Sequence, residues 1–389
     1  MRGDASGSGK PAAGRPRAFV LLSHGQGAAA WNRRYRDGSL IGLNEAWPYG
    51  YSHAADLGYQ VEYSQDRDEN WWGWLWRMAI RALLGFDLLH AWRNRKGLRD
   101  ADVVWTHTES ASLAAVALRV LGWSRARLVL QSVWLIDRWP RMFPPHRWLA
   151  RWLLARADVL TFLSPLNRDR AQALFPDTRC ELVLFGIRSG PQVEPEVPRR
   201  SPALNILSLG SDRHRDWKTL LDAVGGRDDM QATIVSGTIA PALLEGLPNC
   251  RIVRPRDNAE LDALYADADV VVVPLQPNLH ASGITVAEEA AVKGRALVIT
   301  DVGGLRAYFD EEEVCYVPPG DVVAMTQALL RVLRDPPAAL QRARRAQARM
   351  GGDGLGSVAY AHAHVRLSDE LLERTLHAMP DAVPDAADC

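Results

Sequence analysis

Short apolar runs that end in polar residues and glycine recur along the chain, with helical patterns between them. AFVLLSHG (18–25) has the form of a buried parallel strand and its exit loop. SHAADLGYQVEYSQD (52–66) predicts a short helix, a stop at Gly58 and a second strand, QVEYS. ADVVWTH (101–107), RLVLQSV (127–133), ADVLTFLS (157–164) and CELVLFGI (180–187) continue the strand series. RSGPQVEPEVPRRSPA (188–203) interrupts it, because four prolines and no apolar period make a linker.

A second series follows: LNILSLGS (204–211), QATIVSG (231–237), CRIVRP (250–255), DVVVVPL (269–275), ALVITDVGG (296–304) and VCYVPPG (314–320). Helical segments such as AELDALYADA (259–268) and VVAMTQALLRVLRD (322–335) separate these strands. Strands alternating with helices predict an α/β chain of two doubly wound, Rossmann-like domains. The expected bounds are a disordered basic tail at 1–17, a first domain at 18–190, a linker at 191–203 and a second domain at 204–336. Arg-rich helices and a frayed end occupy 337–389. In open sheets of this kind, ligands sit at the carboxyl ends of the strands, in a cleft between the domains.

One apolar stretch, WWGWLWRMAIRALLGFDLLHAW (71–92), raises the question of a membrane span. Arg77, Arg81 and Asp87 interrupt it, leaving no uncharged run of about 18 residues. It is read as a core helix of the first domain. The alternative is peripheral contact with a membrane surface through 71–96, where the aromatic cluster runs into Arg93, Arg95 and Lys96.

Composition narrows the classes. A hydrophobic content of 47% over 389 residues suits a globular protein of two domains, expected to be cytoplasmic. The 46 basic and 46 acidic residues cancel, which gives no support to a nucleic-acid partner. Cys180, Cys250, Cys315 and Cys389 lie too far apart for paired zinc or redox spacing and are read as ordinary thiols. The chain has neither a GxxxxGK[ST] segment nor a strand-coupled GxGxxG, which weighs against a P-loop or an ordinary dinucleotide site.

The stretch HASGITVAEEAAVKG (280–294) places two adjacent carboxylates, Glu288 and Glu289, in a helix opened by a Ser-Gly pair. Neighbours on a helix point about 100° apart, so the two do not form an acid/base dyad. Glu288 is read as a solvated or inter-helix charge.

The ordered run AELDALYADADVVVVPL, SGITVAEEAAVKGRALVITDVGG and VPPGD, within 259–335, resembles the second domain of the GT-B-fold, family 4 retaining glycosyltransferases. That resemblance implies transfer of a sugar from a nucleoside-diphosphate sugar to an acceptor hydroxyl. The acceptor would be a glycan, a lipid-linked or a small molecule, and no metal or other cofactor takes part. It assigns Glu289 to the ribose. A diphosphate favours a helix N-terminus with small residues, which Ser282, Gly283, Ile284 and Thr285 supply. It further places diphosphate-binding cations in LGSDRHRDWKTLLDA (209–223), with Ser211 where the family has an arginine, and Arg215 and Arg213 as the cations.

The family often carries an acid eight residues before Glu289, where this chain has Ala281 beside His280. Either the donor sugar is read through His280 and backbone amides, or the protein is a weak or inactive member. Arg256 and Asp257 fall where the family holds the base, and Asp301, Gly303 and Gly304 read as a structural turn. In the first domain, His24 with Gly25 and His107 with Glu109 end strands that face the cleft; His107 joins Arg213 and Arg215 as the expected catalytic set. Trp134 and Asp137 are placed near the acceptor. Two rivals stand beside this reading: a sugar-nucleotide epimerase on the same fold, and a silent scaffold or membrane-surface subunit.

Overall fold

The structure, a computed structural model, describes residues 14–197, 203–351 and 354–378. Most of the expected tail, part of the linker and the expected frayed end therefore lie outside the described residues, as does Cys389. The tail reading fails at its last residue, because Arg17 already belongs to the first strand.

The first half comprises β1 (Arg17–Leu21), α1 (Ala28–Arg36), β2 (Gln60–Tyr63), α2 (Trp71–Leu84), α3 (Leu88–Arg93), α4 (Arg95–Asp100), β3 (Val103–Thr106), α5 (Glu109–Val120), β4 (Arg127–Ser132), α6 (Leu135–Arg138), α7 (Pro144–Leu154), β5 (Val159–Phe162), α8 (Pro165–Leu174) and β6 (Cys180–Leu182). The second comprises β7 (Leu204–Leu209), α9 (Trp217–Val224), β8 (Met230–Val235), β9 (Cys250–Val253), α10 (Asn258–Asp267), β10 (Val270–Val273), α11 (Ile284–Val292), β11 (Ala296–Thr300), β12 (Cys315–Val317), α12 (Val322–Arg334) and α13 (Pro336–Arg349). A last helix, α14 (Ser357–Ala378), follows.

Each half folds around a six-stranded sheet, ordered β2-β1-β3-β4-β5-β6 and β12-β11-β10-β7-β8-β9. Every pairing is parallel, as when Val103 lies opposite Arg127 and Val270 opposite Ala296. The strands read as continuous apolar runs because helices cover both faces, and Val270–Val273 are all buried. Local chemistry sets the helix starts. Asp216, Asp257, Asp321 and Asp335 each accept a backbone N–H three residues on, capping α9, α10, α12 and α13.

The two terminal helices part company. α13 packs on α11, α12 and β11, whereas α14 returns to the first half. There the Trp105 indole donates to Ser368 Oγ at 2.9 Å, and the Tyr360 and Tyr51 hydroxyls lie 2.8 Å apart. The Arg179 guanidinium pairs with Glu370 at 2.8 Å. The helix expected within 52–57 is a 3-10 segment, Pro48–Ala55, kinked at Tyr49 and Gly50. One apolar cluster runs from Val20, Trp105 and Val129 of the first sheet to Val273 and Ile299 of the second and Ala287 of α11, so the halves share a core.

The stretch 71–92 is not a core helix. It breaks at Gly85, whose φ of 84° ends α2, and α2 leaves Trp71, Trp72, Trp74, Trp76 and Leu83 exposed. Its buried side chain is Arg77, whose guanidinium donates to Glu69 at 2.9 Å and to Asp87 at 2.8 Å. The ion pairs pull the charged face inward and turn the aromatic face out.

Candidate functional site

Strand order reverses between β1 and β3 in the first sheet and between β10 and β7 in the second. Exit loops diverge at such points, and a ligand-sized crevice opens outside the strand ends. In the second half the crevice lies between the loop after β7 (210–216) and the loop after β10 (274–283). Arg215 bridges to Leu275, and the Gln276 N–H donates to the His214 carbonyl at 2.8 Å, so the two loops are tied together.

Arg215 is 6% exposed, and its Nε and Nη1 have no hydrogen-bond partner among the described residues. Two glycines make room for its side chain. A Cβ on Gly210 would overlap the guanidinium, and one on Gly283 would stand 2.6 Å from Nη1. Burial pushes its pKa down to about 10, which leaves it cationic at neutral pH. A buried cation lacking an acceptor costs several kcal/mol unless an anion completes it, on the order of magnitude known for such groups.

Gly283, with φ of 84°, is the N-cap of α11, and the turn is already partly bonded. The Ile284 N–H donates to the Ala281 carbonyl at 3.3 Å and the Val286 N–H to the Gly283 carbonyl at 3.1 Å, so the helix offers this crevice chiefly the positive end of its dipole. The turn before it is held tightly. Ala281 is buried with φ of 55°, a left-handed conformation that costs a non-glycine residue about 1–2 kcal/mol. The Ser282 N–H donates to Asn278 Oδ1 at 3.2 Å. Ser282 is buried, Ile284 is buried and Thr285 is exposed.

Beside this turn lies a chain of acids and histidines that crosses from one half to the other. The Ser282 hydroxyl donates to Asp212 Oδ2 at 2.6 Å, and His280 Nε2 lies 3.5 Å from the same oxygen. His280 Nδ1 donates to Asp137 Oδ2 at 2.9 Å, and the Leu279 N–H donates to Asp137 Oδ1 at 2.9 Å. Burial works against the charge on His280, but Asp137 and Asp212 outweigh it and raise its pKa. Against their own burial, hydrogen bonds from His280 hold Asp137 and Asp212 below the ordinary carboxylate range. Asp212, His214 and His280 each offer an atom within 4.8 Å of the others, a set that a cation could use. Those atoms are already engaged with one another, at 3.2 Å between His214 Nδ1 and Asp212 Oδ1.

Glu289 sits at the seam between the halves, where its Oε1 accepts the Leu43 N–H at 3.1 Å. Burial lifts its pKa to about 7. The same loop of the first half reaches α10, with the Gly42 N–H donating to Asn258 Oδ1 at 2.8 Å. Glu288 corrects the sequence reading: it is not a solvated charge but fully buried, and neither oxygen has a hydrogen-bond partner among the described residues. Burial raises its pKa well above the ordinary value.

The other expected residues scatter. Arg213 and Ser211 are exposed on the turn that carries Arg215, and Ser211 Oγ accepts the Gly237 N–H at 3.0 Å. Trp134 stands 6.3 Å from the His280 ring, edge to face. His107 stacks on Tyr49 with ring centroids 3.5 Å apart. Part of it is reachable, yet the packing around it pushes its pKa down to about 3, so the ring is neutral. His24 joins no such group. It lies 3.9 Å from Glu69 and edge-on to His90 beneath α2, while the Gly25 N–H donates to Asp66 at 3.0 Å. Asp257 caps α10 and the Arg256 guanidinium pairs with Glu260, so both serve the helix start.

Two parallel doubly wound halves that close on a shared cleft define the GT-B fold. Among solved structures, sucrose-phosphate synthase from Thermosynechococcus elongatus superposes with a TM-score of 0.71 at 17% identity, covering 92% of this chain and 100% of that one. HepE of Anabaena, solved with UDP and glucose, superposes with a TM-score of 0.63 at 12% identity, covering 91% and 99%. Residues 206–335 match the family model described as Glycosyl transferases group 1. The glycogen synthase of Mycobacterium tuberculosis (strain H37Rv) is 31% identical over 206 residues, which are 50% of this chain and 44% of that protein. The chain thus spans less than half the length of the curated relatives it matches.

Sequence reasoning did not list Asp212 among the site residues, although it lies in the LGSDRHRDW stretch that was searched for cations. Asn258 and the Gly42–Leu43 amides were missed as well. They belong to segments far apart in the chain, and nothing local marks them.

Proposed function

We propose that this chain is a retaining glycosyltransferase that moves a sugar from a nucleoside-diphosphate sugar to an acceptor hydroxyl. The observation that carries the reading is the buried, unpartnered guanidinium of Arg215, framed by Gly210 and Gly283 beside the first turn of α11. A diphosphate supplies the missing acceptors, and α11 adds the positive end of its dipole. Glu289 takes the ribose hydroxyls, with the Leu43 amide holding its other lone pairs. HepE, a structural neighbour, is solved with UDP and glucose, which agrees with a nucleotide-sugar donor.

In the proposed reaction the bond from the anomeric carbon to the diphosphate oxygen breaks, and the acceptor oxygen bonds to that carbon on the same face. The acceptor proton passes to a diphosphate oxygen. Arg215, with Arg213 and α11, stabilises the charge that develops on the leaving group, a preorganised electrostatic contribution. These groups supply the positive charge, so the step is proposed to need no metal or other cofactor. His280, buried between Asp137 and Asp212 with both ring nitrogens engaged, borders the donor-sugar side of the crevice where Ala281 offers no acid. Neutral His107 and Trp134 belong to the acceptor side. The acceptor class is a glycan, a lipid-linked or a small molecule, and the proposed location is the cytoplasm.

The test incubates the protein with a panel of nucleotide sugars and acceptors and measures released nucleoside diphosphate. Acceptor-dependent release with retained anomeric configuration is expected. Conversion of the donor to an isomer without release would instead make the protein an epimerase. Failure to bind any nucleoside diphosphate by calorimetry would leave a silent scaffold.

A further inference from the structure

The exposed side of α2 is built the wrong way round for a helix facing water. Trp72, Trp76, Ala79 and Leu83 recur at intervals of four, three and four residues, which aligns them along one stripe. Trp72 is 60%, Trp76 66% and Leu83 76% exposed; Trp71 and Trp74 at the helix start are exposed as well, Trp74 on the side of Arg77 rather than on the stripe. The orientation is fixed rather than accidental. Arg77, on the opposite side, is locked to Glu69 and Asp87, Asn70 accepts the Gly73 N–H at 2.8 Å, and Gly85 ends the helix.

The start of α7 abuts the end of this stripe: His146 Nε2 donates to the Leu83 carbonyl at 3.0 Å, and its ring packs on Gly85. Phe143, Trp148 and Trp152 of this second segment are exposed, as are Arg141 and Arg151. Neither α2 nor the stretch 138–157 contains an aspartate or glutamate.

We infer that this face of the first half docks on the surface of an anionic lipid bilayer, with α2 lying in the plane of the interface. Tryptophan rings and leucine seat at the boundary between headgroups and acyl chains, and arginines meet lipid phosphates. A bilayer rather than a second copy is favoured by charge. A two-fold contact would set this arginine-bearing, acid-free face against itself. No helix among the described residues is long and apolar enough to cross a membrane, so the contact is peripheral. The inference stands on α2 and α7 alone and does not depend on the proposed reaction.

The test is vesicle flotation of the full chain, without any sugar nucleotide, paired with the tryptophan emission maximum. Binding to phosphatidylcholine vesicles containing phosphatidylglycerol is expected, with a blue shift. It should weaken as salt rises and fall at least about tenfold with pure phosphatidylcholine. The combined change Trp72→Ser, Trp76→Ser and Leu83→Ser should abolish binding while shifting the thermal midpoint little, since these side chains are mostly exposed and Trp72 packs on the equally exposed Trp71 ring. Arg147→Glu with Arg151→Glu should reduce binding to the anionic vesicles. The inference is overturned if the wild type floats free of anionic vesicles, or if the triple variant binds as the wild type does. It is equally overturned if sedimentation equilibrium shows a dimer that the triple change splits while vesicles stay bare.

Discussion

The two switch points of this molecule share an architecture and differ in what fills them. In the first half, the Ser23 and Thr108 hydroxyls close the gap between β1 and β3 at 2.8 Å. The Asp66 carboxylate takes the N–H groups of Gly25 and Gly27 at 3.0 and 2.8 Å. An anion's place at the start of α1 is thus occupied by the protein's own carboxylate. In the second half the corresponding gap holds a cation without an acceptor, and glycines keep side chains out of its way. The same fold element is sealed in one domain and left chemically incomplete in the other. Incompleteness, more than the presence of charge, marks where an anionic ligand belongs.

Breaking the comparison at its open end should give the largest effect. Arg215→Ala is expected to weaken binding of UDP or another nucleoside diphosphate on the order of a hundredfold, about 3 kcal/mol, measured by calorimetry. Glu289→Ala should weaken it less, through the ribose alone. An unchanged affinity in Arg215→Ala would remove the diphosphate from this crevice. At the sealed end, Asp66→Ala should leave nucleotide affinity untouched. It should lower stability by about 1–2 kcal/mol, read by denaturant unfolding, because two N–H groups lose their acceptor. The smallest effect belongs to Glu288→Met. Replacing an unpartnered buried acid by an apolar side chain of similar size should raise stability by about 1 kcal/mol or less at neutral pH and leave nucleotide affinity as it is. If Glu288→Met instead weakened nucleotide binding as Glu289→Ala does, the separate roles of these neighbours would fail.

Strand identity was legible because buried parallel strands write themselves as unbroken apolar runs, VVVV at 270–273 being the plainest. Arg215 and Glu289 were singled out by the resemblance of 209–223 and 280–294 to the glycosyltransferase family, which sets one after a strand and the other within a helix. Glu288 was misread because a charge on a helix is taken to face water, whereas α11 is covered on one side by β10 and β11 and on another by α13. Only the side of α11 that carries Thr285 and Glu289 escapes this cover, and Glu288 does not lie on it. The stretch 71–92 was misread for the converse reason. Its apolar content pointed inward, but the deciding contacts were the ion pairs of Arg77, which the apolar pattern does not display. The Asp137–His280 bond joins residues 143 positions apart, and only the closing of one half on the other brings them together.

The return of α14 to the first half sets a timetable for synthesis. Trp105, wholly buried in the finished molecule, is bonded by Ser368, and the buried hydroxyl pair of Tyr51 waits on Tyr360. When β6 leaves the ribosome, the helix that covers this face has not been made. At about 5–20 residues per second the wait is on the order of ten seconds or more. The cluster on one face of the second sheet, around Leu220, Met230 and Val298, includes no residue of α14 and can therefore close before the first half does. During that interval, the apolar face around Trp105 and Tyr51 is the part of the nascent chain most in need of a chaperone.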